Sequence, residues 1–377
     1  MSKWVTCFAQ SQCGNKFYKT KIGGRTYKSV IETAISGEKI RLRFGAVYDR
    51  NDIKVLSVTA SANDNTAQIL VGGQKAFTVK KNATILSDEA VLNVEKGDKI
   101  EIRSYFADGT VVMTGCKVAS EYSVPGDYTN KEFVPSEENV WLSKKRPFDI
   151  GTPMPLVYGV DVLASENAYA VAVFGASNEY IGKWVEPFTK EMSKRFGEVS
   201  VCNMSISGGR VLKGTGNKLL LGNLFGDSGI KRFPRDVAAL SGVKYVLIEL
   251  GGNDVFQSGS FACYPWDKCP SAEKLEAGMN TLIEEAKKAG IIPIVLTLSP
   301  MKYGDKWNEE KLAVRNAFNE RFLKGESWLC FDFAKYVRDE KDPDALREDY
   351  HLGDHVHLND AAGKAVVENF DYSLFGR

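Results

Sequence analysis

Ala168-Tyr169-Ala170-Val171-Ala172-Val173-Phe174 is an apolar run of strand length, and it breaks at Gly175-Ala176-Ser177-Asn178-Glu179. Beyond the break, Lys183–Phe196 sets Trp184, Phe188 and Met192 at four-residue steps, one face of a helix. The same alternation continues to the end of the chain. Val199–Met204 and Tyr245–Leu250 are strand candidates. Between Ser271 and Gly290, Leu275, Met279, Leu282 and Ala286 line one helical face, and Gly290 stands where such a helix stops. Ile291–Leu298 is β-branched and apolar, fitting a strand buried on both faces. Glu309–Phe322 and Asp360–Phe370 read as two further helices. Strands alternating with helices predict an α/β fold: a parallel sheet covered by helices.

Upstream of this region the pattern changes. Lys39-Ile40-Arg41-Leu42-Arg43-Phe44 alternates polar and apolar, as does Lys99-Ile100-Glu101-Ile102-Arg103-Ser104, and Val55–Ala60 and Ala67–Val71 continue the series. Gly23-Gly24, Asn63-Asp64-Asn65, Gly72-Gly73 and Asp108-Gly109 are turn signals between them. Closely spaced short strands point to an antiparallel sandwich or jelly roll. Charge crowds Glu132–Arg146, with Pro135 and Pro147, so this stretch reads as the connection. Two domains are expected: a β-sandwich or jelly-roll domain over residues 1–150 and an α/β domain over 151–377.

The 377 residues carry 49 basic and 48 acidic side chains, a net charge of +1, which argues against a strongly basic nucleic-acid surface. No apolar run is long enough to span a bilayer, and the start of the sequence has no signal-peptide pattern. A cytoplasmic protein without nucleic-acid or membrane partners is expected. The oligomeric state is not legible. Seven cysteines form no C-x-x-C pair; Cys7/Cys13 and Cys263/Cys269 could pair in an oxidising compartment, but free thiols are expected.

Ligands of a parallel sheet bind outside the carboxyl ends of its strands. Four segments fall there: Gly175-Ala176-Ser177, Asn203-Met204-Ser205-Ile206-Ser207-Gly208, Gly251-Gly252-Asn253-Asp254, and Asp354-His355-Val356-His357. Together they suggest nucleophilic acyl chemistry. A serine hydroxyl is a weak nucleophile until a base takes its proton, and all three histidines, His351, His355 and His357, lie near the end of the chain. In Asp354-x-x-His357 the carboxylate can hold one imidazole nitrogen while the other faces the serine. The amides of Ser177 and Gly208 and the Asn253 side chain could together meet an oxyanion.

These four segments resemble the sequence blocks of the SGNH (GDSL-type) hydrolase superfamily, three-layer α/β/α esterases, lipases, thioesterases and acyltransferases. The resemblance implies Ser177 as nucleophile, His357 as base, Asp354 as its orienting acid, and an oxyanion hole of Ser177, Gly208 and Asn253. Arg232-Phe233-Pro234-Arg235-Asp236-Val237, Trp4-Val5-Thr6 and the Lys39–Phe44 strand are similar to a subgroup with an N-terminal β-sandwich, so the likeness is nearly full-length. One departure stands out: the first block usually has Asp where this chain has Ala176, and Ser-hydrophobic-Thr where this chain has Asn178-Glu179.

The sandwich-plus-SGNH combination resembles enzymes that remove acetyl groups from saccharides. A small-molecule or oligosaccharide ester is therefore the expected substrate, cleaved through an acyl-enzyme on Ser177. Tyr264 and Trp266, with Phe261, lie in a loop after Asn253 and could stack on a sugar. Acyl transfer, or a lipid or thioester substrate, would use the same site. A non-catalytic carbohydrate-binding protein is the reading that Ala176 favours.

Val173–Ser177 also resembles a dinucleotide-binding opening. However, Glu179 and Ile181 occupy the places of the further glycines, and Met204-Ser205 supplies no ribose-binding acid. His355 and His357 have no complementary pair elsewhere in the chain. No cofactor and no metal is expected.

Overall fold

The computed structural model describes residues 2–14, 20–115, 120–137, 156–215, 223–260, 266–303, 307–325 and 327–376. It resolves into two compact units, one made of Met1–Ala170 with Gly197–Cys202 and Gly222–Leu224, the other of the remainder. Part of the expected connection at Glu132–Arg146 lies outside the described residues.

The first unit is built on two antiparallel sheets. One runs Ser2–Ala9, Val157–Ser165, Gly37–Gly45, Ala90–Val94, with Thr84–Leu86 also on Gly37–Gly45. The other runs Ser120–Pro125, Arg25–Glu32, Lys99–Phe106, Ile53–Ala62, Asn65–Gln68, with Phe77–Val79 on Ile53–Ala62. Alternation works as the sequence predicts: along Lys99–Phe106, Ile100, Ile102, Ser104 and Phe106 are buried between less buried neighbours. At Asn63 and Asp64 both φ angles are positive (50° and 62°), the two-residue hairpin conformation that matches strand twist. Pairing therefore begins at once, and the strand after the turn is Asn65–Gln68 rather than Ala67–Val71. Val71 makes only an isolated bridge to Gln74.

Val157–Ser165 lies beyond residue 150 yet pairs with Ser2–Ala9 on one side and Gly37–Gly45 on the other. It is buried along nearly its whole length, and it carries Asp161 into the core. That carboxylate takes two hydrogen bonds of 2.8 Å from Arg43, one of 2.7 Å from the Thr6 hydroxyl and one of 3.2 Å from Arg41. Every acceptor position is used, so a fully buried charge is tolerated.

The other sheet has the order Val199–Asn203, Tyr169–Gly175, Val243–Glu249, Ile292–Leu296, Leu329–Phe331. Its helices are α1 (Ser177–Ile181), α2 (Val185–Phe196), α3 (Gly229–Phe233), α4 (Gly252–Phe256), α5 (Ala272–Lys288), α6 (Glu309–Lys324) and α7 (Asp360–Asn369). Their starts are written in the sequence. The side chains of Ser271, Asn308 and Asn359 accept the amides of Lys274, Lys311 and Ala362, capping α5, α6 and α7. Leu275, Met279, Leu282 and Ala286 are all buried, as their spacing predicts, and Gly290 has the positive φ (72°) expected of a helix stop. Cys7, Cys13, Cys202, Cys269 and Cys330 are free thiols; Cys116 and Cys263 lie outside the described residues. Burial pushes the Cys7 and Cys13 thiols up to about 12, which makes them inert at neutral pH. No helix among the described residues is long and apolar enough to cross a membrane.

Asp161→Ala leaves the Arg43 guanidinium buried without its counter-charge. Its unfolding free energy, measured by urea titration, is expected to fall by about 3–5 kcal/mol; a loss below about 1 kcal/mol, the worth of a surface pair, would show that the buried charges are not coupled.

Candidate active site

Ser177 is the first residue of α1, directly after the strand Tyr169–Gly175. Its hydroxyl is partly exposed and makes no hydrogen bond among the described residues, to His357 or to any other group. Such contacts are often loose in a free enzyme and close when substrate arrives. The turn beneath it is tightly held. The Gly175 amide donates to Ser205 Oγ at 3.0 Å, and that hydroxyl donates on to the Val173 carbonyl at 3.2 Å. The fully buried Arg232 donates to the carbonyls of Met204 (2.7 Å) and Gly175 (3.3 Å), and its guanidinium lies 3.8 Å from the centre of the Phe174 ring. One cation thus ties together the carboxyl ends of two neighbouring strands.

Gly208 sits at φ 73°, where a side chain would also run into the Phe225 ring, so only glycine fits. Its amide makes no hydrogen bond among the described residues. The Asn253 side chain donates to the Gly209 carbonyl at 3.2 Å and accepts from Gln257 at 3.1 Å. This brings the second and third segments into contact, with the Asn253 donor engaged by protein. Neighbouring Asp254 accepts the amides of Val211 (2.6 Å) and Leu212 (2.9 Å), fixing the loop beyond Gly208. Burial pushes its carboxyl up to about 6 despite those two donors.

Asp354 and His357 are paired: Nδ1 of the imidazole lies 2.5 Å from Oδ2 of the carboxylate. Oδ1 accepts the amides of His357 (2.9 Å) and Val356 (3.0 Å), which folds the segment onto its own carboxylate. Burial opposes ionisation of Asp354, but these donors outweigh it and hold the carboxyl below its usual range. The next amide, that of Leu358, donates to Asn178 Oδ1 at 3.0 Å. The backbone beside His357 is therefore bonded to the residue beside Ser177.

A comparison with known families bears on this arrangement directly. The model of the GDSL-like lipase/acylhydrolase family matches residues 173–365, just over half of the chain. The chain belongs to the GDSL-like lipase/acylhydrolase family. No curated protein matches it in sequence. Among solved structures, this GDSL-like protein is similar to a GDSL-like lipase from Bacteroides thetaiotaomicron VPI-5482, at 16% identity and a TM-score of 0.40 over 56% of this chain and 89% of that one. It is also similar to an acetylxylan esterase from Geobacillus stearothermophilus, at 16% identity and a TM-score of 0.39 over 55% and 98% of the two chains. A third similar structure is an alpha/beta hydrolase enzyme from the metagenome of Lake Arreo, Spain, at 18% identity and a TM-score of 0.40 over 55% and 96%. By its family the protein is a carboxylic ester hydrolase of the SGNH type.

Other groups of this GDSL-like hydrolase were not singled out by the sequence. Glu179, wholly buried, accepts the Ala176 amide at 2.9 Å and the Trp184 indole at 3.0 Å. Its position three residues after Ala176 was the available signal, because a glutamate there reaches back to a helix's first amide. Its carboxyl group neighbours that of Glu249, which accepts the amide (3.0 Å) and hydroxyl (3.2 Å) of Ser299. Burial first, and then the neighbouring Glu249, push Glu179 up to about 8; burial also raises Glu249. Both carboxyls therefore favour the protonated form more than free carboxyls do.

Glu348, His351 and His355 each bring a potential ligand atom within 4.8 Å of one another. Nδ1 of His351 accepts the Gly353 amide at 2.9 Å, so the proton of the neutral ring sits on Nε2, which faces Glu348 at 3.6 Å. Trp266 is 72% exposed, and Tyr264 and Phe261 lie outside the described residues. A cavity of about 220 Å³ beside the Asn253-Asp254 segment is lined by Arg210, Lys213, Asp254, Asp267 and Lys274.

A carboxyl raised in the fold favours its protonated form there more than in the unfolded chain. The stability it lends is complete below the ordinary value of 4.5 and is lost as pH climbs towards about 8. In Glu249→Gln the neighbouring charge is gone, so the melting temperature is expected to decline less between pH 5 and pH 8 than that of wild type. Parallel declines would show that the pair does not titrate in this window.

Proposed function

We propose that the protein is a serine esterase that cleaves short-chain esters, acetyl groups on carbohydrates first among them, through an acyl-enzyme on Ser177. The observation that carries this reading is the hydrogen bond between Asn178 and the Leu358 amide, which holds the Asp354–His357 pair at the helix that begins with Ser177. In the proposed sequence, His357 takes the Ser177 proton as the oxygen attacks the ester carbonyl. Asp354 keeps the ring oriented and supports the imidazolium that forms. The oxyanion is met by the amides of Ser177 and Gly208, both free among the described residues. The Asn253 side chain joins them by releasing the Gly209 carbonyl. His357 then protonates the departing alcohol, and water activated by the same ring releases the acid.

A hydroxylated alcohol is supported by the charged side chains Arg210, Lys213, Asp267 and Lys274, which share the lining of the cavity beside Asp254 with Leu212, Cys269 and Pro270. The exposed indole of Trp266, one residue from the cavity-lining Asp267, offers a stacking face of the kind sugars use.

Turnover of 4-nitrophenyl acetate, butyrate and octanoate is the direct test. Acetate should be preferred, and Ser177→Ala and His357→Ala should each lower kcat by about a thousandfold or more. Preference for octanoate would replace the carbohydrate reading with a lipid or thioester substrate. Folded protein that turns over none of the three would overturn ester hydrolysis altogether.

A further inference from the structure

Two buried carboxyl groups in contact are costly unless something requires them. Here each of the two neighbouring carboxyls holds one part of the site through hydrogen bonds. One part is the turn before Ser177: Glu179 accepts the Ala176 amide at 2.9 Å, while the Trp184 indole, 3.0 Å away, fixes its other oxygen. The other part is the loop of His357. Glu249 accepts both the amide and the hydroxyl of Ser299, the Asn178 side-chain amide lies 3.5 Å from that hydroxyl, and Asn178 in turn accepts the Leu358 amide. Asn203 adds a brace, donating to the Glu179 carbonyl at 2.6 Å.

We infer that the Glu179–Glu249 pair is a positioning device for the reacting groups: it fixes the turn that carries Ser177 and, through Ser299 and Asn178, the loop that carries His357. The inference rests on the esterase reading of that site. The pair touches no substrate in this account. It acts by holding a nucleophile and a base, far apart in sequence, at one separation, and an error of about 1 Å there costs roughly a hundredfold in rate. A carboxylate suits the place because both its oxygens accept from fixed N–H donors, which an amide cannot reproduce. In Glu179→Gln, an NH2 group must face either the Ala176 amide or the Trp184 indole, donor against donor. Glu249 differs, since a glutamine there keeps a polar side chain that can still donate to Glu179 and accept from Ser299.

The test is steady-state hydrolysis of 4-nitrophenyl acetate by the full chain, with folding checked by circular dichroism and melting temperature. E179Q is expected to lower kcat by about 10- to 100-fold with KM within about twofold of wild type. E249L should fall alongside it, while E249Q recovers most of the E249L loss. If E179Q does not fold, Ser299→Ala, which removes only the link between Glu249 and Asn178, decides: a fall in kcat at unchanged KM supports the role, and unchanged kcat overturns it. Folded E179Q with wild-type kcat, a loss confined to KM, or no difference between E249Q and E249L would each overturn it too. Turnover that Ser177→Ala abolishes and E179Q keeps removes the positioning role alone. Absence of wild-type turnover removes the esterase reading and the positioning role together.

Discussion

The hydrogen bond from the Leu358 amide to Asn178 joins parts of the chain that the sheet alone would leave independent. Ser177 owes its place to the strand Tyr169–Gly175 and the start of α1. His357 belongs to no regular element; its segment lies between the strand Leu329–Phe331 and α7, bent by the amides that Asp354 collects. Without a tether such a loop is free to drift, because a carboxylate binding its own neighbours fixes local shape but not location. Asn178 supplies the location. It is buried, so the bond is shielded from water and from competing donors.

The carboxyl ends of the strands pose a second problem, since their last carbonyls converge where the regular ladder stops and need further donors. Arg232 answers it for Gly175 and Met204 from the buried side, with its charge balanced by Asp236 at 3.2 Å and its face against Phe174. Ser205 adds a second donor to the Val173 carbonyl, which already accepts the Met204 amide at 2.8 Å. The Ser177 hydroxyl, its amide and the Gly208 amide, by contrast, make no hydrogen bond among the described residues.

Much of this was legible in the sequence, for reasons that can be given residue by residue. Helices α5 and α7 announce themselves because their caps, Ser271 and Asn359, and their apolar stripes are local features. Asp354 and His357 are three apart, so a pairing between them needs no knowledge of the fold. The strand Val157–Ser165 was not read, because it follows the charged connection and its partners lie at Ser2–Ala9 and Gly37–Gly45. Long-range pairing leaves no periodicity of its own. Asn178 and Glu179 were noticed only as departures from a motif, since an exposed polar pair and a buried network read alike until the sheet brings Glu249 and Ser299 to them. Asn253, read as a side-chain donor, spends one of its two N–H groups on the Gly209 carbonyl, a contact that local sequence does not foretell.

Ala176 draws these points together. Where related first blocks carry an aspartate, this chain gives the turn only a backbone amide, and a methyl group cannot anchor a loop. The anchoring acceptor comes from three residues further on: Glu179, with no exposure to solvent, accepts that amide. A buried acceptor makes a stronger bond than an exposed one, but only if its own charge is managed. The Ala176 amide and the Trp184 indole, one on each oxygen, do that here. The missing aspartate is therefore a weak argument for a decayed site. A chain that had lost its chemistry would have no reason to keep two carboxyl groups buried in contact behind the serine, where apolar side chains of the same volume would pack at lower cost.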